Sequence, residues 1–155
     1  MISVKVKEVV LDQTHNPLLL LVDTEENCVL PIGIGFWEAQ AIILKLQGNI
    51  VPRPMTHDLM SDICNKGDMK LEKVVISDII DNTFYSELYF TKKNEELIID
   101  SRPSDAVALA LTVGVPIYIS DKVAPHTLSI EDLVEEKDVQ DSQDIDNDEG
   151  GPHLH

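Results

Sequence analysis

Around residues 103–113 the chain runs Ala106, Val107, Ala108, Leu109, Ala110, Leu111 without a polar break. A helix built from these residues has almost no face it can leave in water, so it must be covered on most sides. Its alanines let a neighbouring layer approach closely, and a sheet is the layer that fits. Gly114 and Pro116 end it, because glycine takes the left-handed conformation that follows a helix and proline cannot extend one. The rest of the chain therefore has to supply the sheet.

The strand signals are present on both sides of that helix. Residues 2–11 begin as a strict alternation of apolar side chains with Ser3, Lys5 and Lys7, which breaks near Glu8 and predicts a bulge there. Residues 18–22 are an unbroken apolar run suited to a strand buried on both faces, and residues 28–32 form a third strand after a turn at Thr24–Asn27. Residues 70–80, 83–92 and 95–99 are separated by Asp81-Asn82 and Lys93-Asn94, which have hairpin-turn chemistry. A last strand covers 116–120. Two more helices are expected. One spans 36–47, with Phe36, Ala39, Ile43 and Leu46 on one face and Gly48 beyond its end. The other spans about 57–66, with Thr56 as its N-cap. Together these predict a single α+β domain over residues 1–127, with three main helices and a mixed or largely antiparallel sheet of six to seven strands.

Charge divides the chain unevenly. The net charge is −16, yet residues 130–155 hold ten acids against one lysine, leaving a net of −7 for residues 1–129. We expect a turn or two of helix at 130–135 and, within an acidic tail at 128–155, mostly disorder. A folded part that is itself acidic argues against a nucleic-acid partner on charge alone, since such binders usually present a basic face. No apolar run approaches the ~20 residues of a membrane span, and the N-terminus lacks the apolar stretch of a signal peptide. Cys28 and Cys64 have no metal spacing. These features predict a cytoplasmic chain with two free thiols and no membrane contact.

Chemistry is concentrated at the mouths of the three helices, each with an acid in its first turn: Glu38, Asp58 and Asp105. Such carboxylates favour the helix dipole by ~0.3–1 kcal/mol whatever else they do. Thr56, Ser101 and Ser104 are candidate caps, and Arg102 and Asp105 are spaced to pair on the surface. In combination they suggest more. His57 beside Asp58 can transfer a proton near neutral pH. Arg53 and Arg102, the chain's two arginines, each precede a proline that stiffens the backbone and aims a guanidinium suited to phosphate. A phosphodiester site can be built from two arginines, helix mouths and a divalent cation held by acids. The lone Trp37, at a helix start, is expected to pack rather than to stack on a base. Phe84, Tyr85 and Tyr89 are expected to divide between the two faces of one hairpin.

The same three clusters resemble the signatures of a known family. Leu30-Pro31-Ile32-Gly33-Ile34-Gly35 with Glu38-Ala39-Gln40-Ala41-Ile42, then Arg53-Pro54-Met55-Thr56-His57-Asp58-Leu59, then Asp100-Ser101-Arg102-Pro103-Ser104-Asp105-Ala106 through Ala110 are similar, in order and spacing, to those of the bifunctional nuclease (DNase/RNase) family. The resemblance covers about residues 1–125 and leaves out the acidic tail. Gly33 stands where a bulkier, often aromatic residue is common, and Ser101 where alanine is common. The resemblance implies an α+β fold that often self-associates, as a homodimer or higher homo-oligomer, and hydrolysis of both DNA and RNA. On this reading His57, Asp58, Glu38 and Asp105 are the catalytic candidates and Arg53 and Arg102 hold phosphate. Glu38, Asp58 and Asp105 are the candidate ligands of a divalent metal, Mg or Mn. Two other readings use the same residues: a non-catalytic oligomeric binding module, and a sensor of small anions or nucleotides.

Overall fold

The structure is a computed structural model and describes residues 1–132. β1 (Ile2–Leu11), β2 (Pro17–Asp23) and β3 (Cys28–Gly33) form an antiparallel meander. The bulge expected in β1 is present, as a register shift between Val6 and Glu8. β4 (Lys70–Ile80), β5 (Thr83–Lys92) and β6 (Glu95–Ser101) form a second meander. Its turns, Asp81-Asn82 and Lys93-Asn94, have positive φ at both central residues, between 51° and 62°, the twist that matches two-residue hairpins.

β7 (Ile117–Ile119) joins the two meanders, parallel to β4 and antiparallel to β1. The parallel pairing needs a long crossover, and α3 (Pro103–Val113) lies within it. The result is one mixed sheet in the order β6-β5-β4-β7-β1-β2-β3-β8. Its eight strands exceed the expected six to seven by β8 (Leu128–Ser129), which pairs with Cys28 and Val29. Two residues are too short to show a period, so no pattern announces that strand. A helical turn begins at Ile130; the acidic stretch expected to be disordered lies outside the described residues.

α3 is the centre of the core. Ala106, Val107, Ala108, Leu109 and Ala110 are each at most 1% exposed, and the helix packs against α1 (Phe36–Leu46), α2 (Thr56–Lys66), β4 and β5. Gly114 ends it with φ 83°, the left-handed geometry glycine adopts without strain. α1 differs from its expected face: Ala39 and Ile42 are its buried residues, while Phe36 and Leu46 are exposed. Among the described residues no helix is long and apolar enough to cross a membrane, and Cys28 and Cys64 are free thiols.

Candidate functional site

The first turns of the three helices meet in one chain of charged hydrogen bonds. Arg102 caps α3 with extended backbone, φ −72° and ψ 145°, as the following Pro103 demands. Its Nη1 donates to Glu38 Oε1 at 2.8 Å and its Nε to Asp105 Oδ2 at 2.8 Å. The other oxygen of Asp105 lies 3.1 Å from His57 Nε2. An ionised carboxylate can only accept, so His57 donates from Nε2 to Asp105. Glu38, Arg102, Asp105 and His57, drawn from all three clusters, thus form one unit.

The electrostatics follow from these contacts. Burial pushes the Asp105 carboxyl up, but hydrogen bonds from Arg102 and His57 outweigh it and hold the group below the ordinary carboxylate range. Glu38 is held down by its own backbone N–H and then by Arg102. The two acids in turn push Arg102 up, Asp105 more strongly. Gly35 has a specific role: a Cβ there would lie 2.1 Å from Glu38 Oε2. Its missing side chain leaves room for the carboxylate to fold back over the helix start.

Asp58 and Arg53 take no part in this chain of contacts. Asp58 Oδ2 accepts the Met55 N–H at 3.0 Å, and Oδ1 accepts from Lys45; Lys45 first and Met55 second hold its carboxyl below the usual range. Met55, not Thr56, is the N-cap residue of α2, because the acid three positions on supplies the capping contact. Arg53 is exposed in the segment leading into α2. Among the described residues no three His, Cys, Asp or Glu side chains are grouped to hold a metal ion. Of the three candidate ligands for Mg or Mn, Asp58 faces Lys45 while Glu38 and Asp105 share Arg102.

Beside the Arg102 pairings lies an open cleft of about 330 Å³. The end of β3, the β4–β5 turn and the start of α3 wall it: Ile32, Ile34, Phe84 and Pro103 are apolar, while Glu38 and Arg102 are charged. Gly33 also lines it, and a Cβ there would meet nothing within 4 Å. Sequence reasoning missed this cleft and Lys45, for no spacing rule links residues so far apart, and it missed the role of Gly35, which depends on how the Glu38 side chain folds back. It also misplaced Trp37, which is 79% exposed beside Phe36 at 58%. The two rings meet edge to face, with centroids 5.3 Å apart and planes at 80°. Trp37 lies off the helix face that carries Ala39 and Ile42, and Phe36 stands at the exposed end of it.

Comparison with known proteins gives this arrangement a context. Residues 19–131 match the model of the bifunctional nuclease domain. An uncharacterised protein of Mycobacterium tuberculosis is 43% identical over 122 residues, covering 78% of this chain and 73% of the relative. Bifunctional nuclease 1 of Oryza sativa subsp. japonica is 24% identical over 113 residues, 71% of this chain but 34% of the rice protein. Bifunctional nuclease 2 of Arabidopsis thaliana is 23% identical over 113 residues with the same coverage. The matched region contains all three helix mouths and, β1 and the first residues of β2 apart, the whole sheet; the chain belongs to the bifunctional nuclease domain family.

Proposed function

We propose that this chain hydrolyses phosphodiester bonds of DNA and RNA with low sequence specificity, at the Glu38–Arg102–Asp105–His57 unit beside the cleft. The observation that carries the reading is an aimed arginine and an oriented histidine bridged by one carboxylate, in a domain whose named plant relatives are called nucleases. Arg102 engages its two acids through Nε and Nη1, which leaves the Nη2 donors for a phosphate oxygen. Its side chain is 63% exposed, so a substrate can reach it. Phosphate contacts carry no base information, which accounts for low specificity.

Asp105 fixes the His57 tautomer, and Nδ1 of the neutral ring takes the proton of the attacking water as the P–O bond to one sugar oxygen breaks, that oxygen taking a proton from solvent. Glu38 holds Arg102 from the other side. Asp58, as the cap of α2, is a positioning residue for its neighbour His57, and Arg53 contacts a second phosphate. Hydrolysis is tested with single-stranded and duplex DNA and RNA, with and without EDTA, beside an identically prepared His57→Ala/Arg102→Ala double variant. Cleavage by the parent and none by the folded variant is the expected result; equal cleavage by both assigns the activity to a contaminant. The EDTA arm reads whether Mg or Mn is required.

One observation favours a second reading, a non-catalytic oligomeric module. Each acid already has a structural role, since Asp58 caps α2 while Glu38 and Asp105 together neutralise Arg102. That reading expects no cleavage by either protein and a change of mass on size exclusion when Arg102 is replaced.

A further inference from the structure

We infer that Phe36 and Trp37 form a base-stacking platform on the first turn of α1, next to Glu38, so that the site takes single-stranded nucleic acid in preference to duplex. The inference rests on the nuclease reading of the Arg102 unit and names its substrate class.

Trp37 is the chain's only tryptophan, and leaving 79% of it in water forgoes the burial that normally holds such a ring. The edge-to-face contact with Phe36 braces it on the first turn of α1. The next residue is Glu38, which lines the cleft and accepts from Arg102. Both exposed rings therefore stand on the same first turn of α1 as Glu38, which accepts from the group proposed to hold phosphate. A base lies one sugar away from its phosphate, so a strand anchored at Arg102 presents bases to these rings.

Charge decides between a single strand and a duplex. Residues 1–129 carry a net −7, which opposes drawing in a polyanion by long-range charge, as duplex binders do. Affinity has to come from contacts that do not depend on charge. Stacking on an aromatic face is such a contact, and every base can make it. Duplex bases are already stacked on one another and cannot, whereas bases of a single strand can. The same reasoning predicts a shallow salt dependence, because few phosphates are neutralised on binding.

The test uses the full chain and a phosphorothioate oligodeoxythymidine, with a duplex of equal length for comparison. The single strand quenches Trp37 fluorescence and the duplex does not. By anisotropy of an end-labelled strand, Trp37→Ala and Trp37→Leu each weaken binding roughly fivefold to a hundredfold, the range of one base on one ring, whereas Trp37→Phe keeps most of it. Binding by Trp37→Leu equal to the parent's, or equal quenching by duplex, overturns the platform. So does sedimentation showing that Trp37→Ala lowers the mass without changing oligonucleotide binding, which assigns the rings to a contact between copies. Parallel cleavage assays separate the two claims: equal cleavage of both forms, unaffected by Trp37→Ala, leaves the nuclease and removes the platform. Quenching without any cleavage leaves the platform and removes the nuclease.

Discussion

α2 and α3 have the same length, eleven residues each, and opposite relations to the core. α3 buries seven of its residues, from Pro103 to Ala110, whereas α2 buries only His57. Both contribute to the same hydrogen-bonded unit, α3 through Arg102 and Asp105, α2 through His57. One helix is the element around which the sheet is built, and its polar mouth is held rigid by that packing. The other lies nearer the surface and delivers one imidazole, held by a cap, an ion pair and the burial of His57 itself. A site can thus be assembled from a deeply buried and a more exposed helix when a polar, directional contact joins their first turns.

The sharpest way to break this contrast is to remove packing from α3. Leu109→Ala, at a position 1% exposed, should destabilise the protein by about 2–5 kcal/mol, read from denaturant midpoints with the slope unchanged. Asp58→Ala should cost about 0.5–2 kcal/mol, the worth of a helix cap. The folded fraction should still cleave nucleic acid; loss of cleavage in a fully folded variant would move Asp58 into the chemistry. Acid should loosen the contact between the helices next. Glu38, Asp58 and Asp105 have carboxyls depressed in the folded state, so the stability they contribute is present above their ordinary values and lost as pH falls below about 4. Thermal melts across that range should show it, and the drop should shrink in Asp105→Asn. The smallest effect belongs to the outer face of α2. Leu59→Ala and Ile63→Ala, at 54% and 61% exposure, should each change stability by no more than about 0.5 kcal/mol. A loss as large as that of Leu109→Ala would mean that a second copy covers this face in solution, and size exclusion would then show a change of mass.

Much of the scaffold was legible in the chain because it depends on local pattern. The extent of α3, the bulge near Glu8 and the turns at Asp81-Asn82 and Lys93-Asn94 each follow from side chains within a few residues of one another. β8 was not legible, since two residues have no period. Nor was the face of α1, where Ile42 rather than Phe36 meets the core: both are apolar, and only the position of α3 chooses between them. Trp37 was misplaced for a related reason. A large aromatic is buried when a neighbour covers it, and the sequence does not name the neighbour.

The site divides in the same way. All four members of the Glu38–Arg102–Asp105–His57 unit could be named from residue type and position at helix mouths, because a first-turn acid, a histidine and a pre-proline arginine have chemistry of their own. Their order along one chain of hydrogen bonds could not. That Asp58 turns to Lys45 while Asp105 turns to His57 depends on which side chains the sheet and α3 bring within hydrogen-bonding reach, a distance that neither residue encodes. The sequence by itself determined the elements and the supply of reactive groups, since both arise from local sterics, periodicity and ionisation. Only the tertiary structure decided which groups share a proton or a charge, because hydrogen bonds and ion pairs are set by distance and direction across elements far apart in the chain.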